Sequence, residues 1–199
     1  MRLIVNLSLV FWLFFIVGCT SQQPKPAPSW IETVEGIRKE ARALNPSLVL
    51  DTIMVSSLGD YLADTNTLDT LVSLVNPDTA ALFEASFEHG QTATPIRESG
   101  VSSVQNKDAD ALFSLVRIAP NDALLTANTQ LPQYPDKDKG AISFFLVLDS
   151  GNGVPENLRS TTKVAWKVRY NARGTQTAFF VWVDAQTGSV VQTRVEEFN

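Results

Sequence analysis

Apolar positions along the chain change their period several times, and each change predicts an element. Trp30, Val34, Ile37, Ala41 and Leu44 recur at helical spacing, so a helix is expected over 30–44. Ser29 and Glu32 stand at capping-box spacing in front of it, and Asn45-Pro46 supplies the stop. From 47 to 56 the period drops to two. Leu48, Leu50, Thr52 and Met54 alternate with Val49, Asp51, Ile53 and Val55, which reads as a strand. Residues 57–67 are polar and turn-rich. Two further strands are expected over 68–76 and 80–87, around the tight turn Asn76-Pro77-Asp78-Thr79, although Leu68, Leu71, Val72 and Val75 would also share one helix face. Residues 88–110 show no period and read as loop, and the apolar run 111–118 reads as strand.

The second half is more regular. Pro120 is placed to open a helix over 121–130, where its missing amide costs nothing. Strands follow over 141–148, 163–170, 178–183 and 189–195. In the second of these Val164, Trp166, Val168 and Tyr170 oppose Lys167 and Arg169, as a sheet with one buried face requires. Asp184-Ala185-Gln186-Thr187-Gly188 has an aspartate to accept turn amides and a glycine for a left-handed exit, which makes a hairpin. The class expected is α+β: helices packed on antiparallel β-sheet, in its most regular form as two tandem helix-on-sheet units. The boundary falls at 117/118, between an N-terminal α+β region from 29 and a C-terminal domain.

One strand breaks the rule of a single apolar face. Phe180 and Trp182 share one side of 178–183, and Phe179, Val181 and Val183 share the other. Either the sheet is covered on both faces, or Phe180 and Trp182 form an exposed patch that binds a partner. Trp30 and Trp166 lie on apolar stripes and read as core.

The N-terminus carries a different signal. Arg2 precedes an apolar stretch from Leu3 to Val17, broken by Asn6 and Ser8, and Gly18-Cys19 follows. A positive start, an apolar segment and a small residue make a secretory signal peptide over 1–18. The run is short for a membrane-spanning helix, which needs about 20 apolar residues. Residues 20–28 are polar and proline-broken, as a tether over 19–28 should be. A thiol at this junction resembles the lipobox of bacterial lipoproteins. The resemblance implies cleavage before Cys19, acylation of its sulfur and attachment to a bilayer in the cell envelope. It also implies the periplasmic face of the outer membrane if the host is Gram-negative, since Thr20 is not the aspartate that retains such proteins at the inner membrane.

Composition narrows the chemistry. Roughly 170 residues remain to fold, enough for one ordinary domain or two small ones. The formal net charge is −5, and loss of Arg2 makes the mature part more acidic, which argues against nucleic acid as a partner. The chain holds one cysteine and one histidine. With the cysteine committed to lipid there is no disulfide, and His89 alone supports neither a zinc site nor a hydrolytic triad. Asp64 to Asp69 and Asp136 to Lys139 carry oxygen donors but lack a calcium-loop pattern, so both read as solvated loops. No catalytic residue, metal or cofactor is expected.

Val164-Ala165-Trp166-Lys167-Val168, followed after a gap by Phe180-Val181-Trp182-Val183-Asp184-Ala185-Gln186-Thr187-Gly188-Ser189-Val190-Val191, resembles the PepSY family of thermolysin-type protease propeptides and bacterial envelope proteins. The likeness covers about 118–197. It implies a helix followed by antiparallel strands, no catalytic residue, and a role in binding or regulating another protein, such as a secreted or periplasmic peptidase. A structural or assembly role in an envelope or secretion complex is the alternative. No protease follows in this sequence, so the partner would be a separate envelope protein. Val75 to Leu82 can also be laid over Val183 to Val190, which leaves open either an internal duplication or a first half with its own fold.

Overall fold

The computed structural model describes residues 29–57, 68–88, 91–102, 109–139, 142–150 and 154–198. Cys19, the leader, the tether, Asp64 to Thr67 and His89 lie outside the described residues.

Helix α1 spans Trp30–Leu44 and starts on the capping box anticipated for it. The Ser29 hydroxyl accepts from the Glu32 amide at 3.3 Å, and the Glu32 carboxylate accepts from the Ser29 amide at 2.7 Å. At the other end the Asn45 amide donates to the Ala41 carbonyl. The helix buries Trp30, Val34, Ile37 and Ala41, one stripe at helical spacing.

The expectation of helices layered on one or two smaller sheet units is corrected here. The described residues form one eight-stranded antiparallel sheet in the order β4-β3-β2-β1-β5-β6-β7-β8. Its strands are β1 Val49–Ser57, β2 Leu68–Val75, β3 Ala81–Glu88, β4 Arg97–Val101, β5 Ile142–Ser150, β6 Val164–Ala172, β7 Thr177–Asp184 and β8 Val190–Glu197. Strands dominate, and the other helices are short: α2, Ala109–Phe113, and α3, Pro120–Asn128. The physical reason is the seam. β1 pairs with β5 through Met54↔Val147, Val55↔Leu146 and Ser56↔Phe145, so residues on both sides of 117/118 share a continuous ladder.

They also share one core. A single buried cluster includes Trp30 and Ile37 of α1, Phe113 of α2, Leu124 of α3, Ile53 and Val55 of β1, Leu146 of β5, Val168 and Tyr170 of β6 and Phe179 of β7. All three helices lie on this inner face. Trp166 and Trp30 meet edge to face with ring centroids 5.3 Å apart, and the Trp166 indole donates to the Ile118 carbonyl at 2.8 Å.

Two segments differ from their sequence reading. Residues 111–118 were expected to be strand, but the first part completes α2 and the rest runs on as irregular chain against the β7–β8 turn, where the Arg117 and Ile118 amides donate to the Ala185 carbonyl. Asp110 explains the switch, because it opens this helix while receiving Arg38, Arg42 and the Leu50 amide. Strand β4 lay in what read as loop. Its five residues are all exposed, so they carry no alternation to find.

The two aligned turns are local copies. Asn76 Oδ1 accepts from the Asp78 amide and Asp184 Oδ1 from the Gln186 and Thr187 amides; Thr79 and Thr187 each accept from the amide two residues on. Ala80 and Gly188 both take positive φ, 59° and 76°. At 188 glycine is doubly required, since a Cβ would sit 3.3 Å from Ile118 Cδ1. The first turn joins β2 to β3 and the second β7 to β8, so the two occupy different places in their runs of four strands.

Candidate functional site: the outer face of the sheet

The side of the sheet away from the helices holds the residues singled out for partner binding. Phe180 and Trp182 project there from β7 beside Ala165 and Ala178, and Val154, Leu158 and Val191 close over them. They retain 5% and 4% exposure. Of the two alternatives in the sequence, the covered face is the one realised. The ring centroids lie 5.8 Å apart.

Cations line this apolar cluster. Lys167 Nζ sits 5.2 Å from the Phe180 ring centroid and 5.7 Å from that of Trp182. The Arg169 guanidinium lies 5.9 Å from Phe180 and 4.7 Å from Phe198. Such contacts hold a positive charge over a π face while the head group stays partly wet.

Strand register places these side chains in rows. One row crosses the sheet as Glu88, Asp69, Ser56, Phe145, Arg169, Phe180 and Arg194, each paired with the next. The next row is Ser86, Leu71, Met54, Val147, Lys167, Trp182 and Gln192. The face is therefore acidic over β2–β3, apolar and half-buried at the seam, and basic and aromatic over β6–β7, while on β8 Arg194 is paired with Glu196 at 3.2 Å. On the acidic side a cleft of about 350 Å³ is lined by Met54, Ser56, Asp69, Leu71, Glu88 and Phe145, among others.

Asp149, on β5 at the same face, is the unusual titrating group. Burial pushes its pKa up from 3.8 to about 6, opposed by the charge of Lys167 and by the Trp182 indole. One Asp149 oxygen, Trp182 Nε1 and Gln192 Oε1 are buried without a hydrogen bond of acceptable geometry. The folded state holds this proton more tightly than the unfolded state, so stability falls as pH rises through about 4 to 6. At 1.36 kcal/mol per pKa unit, Asp149→Asn should raise stability by up to about 3 kcal/mol near pH 7.5, while the two proteins converge below about pH 4. Urea unfolding at both pH values measures it. An equal gain at both would show that burial of the charge is not the cause.

The other sequence candidates fall elsewhere. Trp30 and Trp166 are buried in the inner core. Asp136 is buried rather than solvated: Lys139 and the Thr177 hydroxyl bind its carboxylate and hold its pKa below the usual value. Among the described residues no three His, Cys, Asp or Glu side chains stand together as a metal site. Asp149, Arg169 and Arg194 were missed. Parity along β6 already put Lys167 and Arg169 on the side opposite Trp166, but which residues flank them depends on register, which local pattern does not encode.

No family model matches the chain. No curated protein matches it either. Among solved structures, that of a candidate lipoprotein from Clostridium difficile 630 is similar over 87% of this chain and 97% of the other, with a TM-score of 0.50 and 11% identity. At that identity the likeness is one of fold.

Proposed function

We propose that the chain is a lipoprotein of the cell envelope, held to the membrane through acylated Cys19, whose folded body is a non-enzymatic protein-binding module. The observation that carries this is the order Arg2, apolar 3–17, Gly18-Cys19 and polar tether. That a protein of the same fold is described as a candidate lipoprotein supports it. Each buried acyl methylene contributes about 0.8 kcal/mol, so two or three chains on Cys19, carried by a diacylglyceryl group on the sulfur and by the new amino terminus, make attachment lasting where a single chain is marginal.

Labelled palmitate should enter the wild-type protein and not Cys19→Ser, and the variant should lose the membrane fractionation of the wild type. An unlabelled wild type, or a Cys19→Ser protein that fractionates unchanged, refutes the anchor. The finer reading, in which the partner is a secreted or periplasmic peptidase, rests on the resemblance of Val164 to Val191 to the PepSY pattern. Crosslinking in intact envelopes tests it, and recovery of a secretion or cell-wall component instead would favour the accessory reading.

A further inference from the structure

We propose that the cleft on the acidic half of the outer face is the docking site of the chain's own tether, with Lys25 between Asp69 and Glu88 and the prolines beside it on the apolar floor. The cleft combines two kinds of surface. Met54, Leu71 and Phe145 line it with apolar groups, and Asp69 and Glu88 add two carboxylates. These two acids face each other across β2 and β3 in register. Like charges directly opposite in a β-pair are destabilising. Gln91 donates to Glu88, but no cation pairs with either acid among the described residues. Arg97, farther along the face, stands across from Glu84 in register and offsets that acid instead. The cleft suits one positive charge flanked by apolar groups.

The tether supplies that combination. Lys25 is the one charged side chain of residues 20–28, and it is set in Pro24-Lys25-Pro26-Ala27-Pro28. Proline-rich segments favour the extended polyproline form and dock on apolar, aromatic-lined grooves at a low entropy cost. The chain also enters the body at the right end of the sheet. Helix α1 leads through 45–48 into β1 at the end where Val49 pairs with Val75, so the helix starts at the opposite end, where Ser57 pairs with Leu68. There the Trp30 indole donates to Thr70, the neighbour of Asp69. Because α1 lies on the inner face, the tether passes round the end of β2 to reach the cleft. Lys25 precedes Ser29 by four residues, about 13 Å of extended chain before its long side chain is added, which suits that path. A segment joined to the body meets the cleft at an effective concentration of about millimolar, an advantage that a separate basic partner lacks. The contact needs only residues 24–28 ahead of α1, so it stands whether or not Cys19 is acylated. On an acylated chain, docking leaves only residues 20–24 between the acidic half of the sheet and the bilayer, and so fixes how the body faces the membrane.

The test treats the full chain with a carbodiimide, which joins an amine to a carboxylate only where the two touch, and maps the products by mass spectrometry. Lys25 should be joined to Asp69 or Glu88 at least tenfold more often than to Glu32 or Glu35, which are nearer in sequence and would capture an undocked tether. Asp69→Asn with Glu88→Gln should abolish that preference, with circular dichroism showing that the body is folded; should that variant not fold, the wild-type preference and the exchanged pair decide. In the exchanged pair, Lys25→Glu combined with Asp69→Lys should couple again with the two groups reversed. That rescue requires contact between these two positions and does not follow from a change in net charge. The proposal is overturned if wild-type Lys25 couples mainly to Glu32 or Glu35, if the preference survives in the folded acid variant, if a folded exchanged pair does not couple, or if Asp69 and Glu88 couple instead to a lysine of another chain.

Discussion

Serine at both Phe180 and Trp182 should unfold the protein. A deletion of this size in a packed site costs about 3–5 kcal/mol per ring. The two rings touch, so the losses will not add fully. Even so, the total approaches the whole stability of an ordinary domain, about 5–15 kcal/mol. The rings also hold the covering segment, because Val154 and Leu158 have little else apolar on this face. Circular dichroism should show loss of the native sheet spectrum, or a urea midpoint shifted to near zero denaturant. A native spectrum with an ordinary midpoint would mean that the outer cluster does not contribute to stability.

Trp166→Ala should be nearly as severe and arises on the other face. The side chain is 0% exposed, packs edge to face on Trp30, and donates to the Ile118 carbonyl. Trp30 in turn lies 6.1 Å from Phe113 and donates to the Thr70 hydroxyl at 3.0 Å. Removing the indole therefore opens a cavity between β6, α1 and α2 at about 3–5 kcal/mol. An orphaned carbonyl adds about 1–3 kcal/mol. For a domain of this size 1 kcal/mol moves Tm by about 2–4 °C, so a loss of 10 °C or more is expected. Trp166→Phe keeps most of the volume and loses the hydrogen bond, so its Tm should lie between the two. Equal losses for Ala and Phe would show that the hydrogen bond, not the packing, dominates.

Local elements were legible because their signals are local. The capping box at Ser29 and the stripe of Trp30 to Ala41 need only a few consecutive residues, as does the Asp184-to-Gly188 turn, and each formed as read. The global arrangement was not legible, because it rests on the pairing of Met54 with Val147, which no short window contains. Strand β4 was hidden for the opposite reason: an exposed edge strand has no buried side to give it a period. At the outer face the sequence identified the aromatic pair and the two possible fates of its side of the sheet. It gave no sign that Val154 and Leu158 would cover that side, since a covering segment is recognised only by what it touches. Asp149 was passed over because an aspartate near a strand end looks solvated until its neighbours are known.

The seam has a consequence for how the chain reaches its native state. β1 hydrogen-bonds to β2, its neighbour in sequence, but its other edge stays open until β5, synthesised much later, arrives to close it. Long-range pairing of that kind is slow, since loop-closure entropy must be met before the contact is gained. The exposed edge of Val49 to Ser57 is meanwhile a template for pairing with the wrong chain. Productive assembly thus waits on the C-terminal half, and a truncated chain ending before β5 should aggregate rather than fold, with β1 as its sticking point.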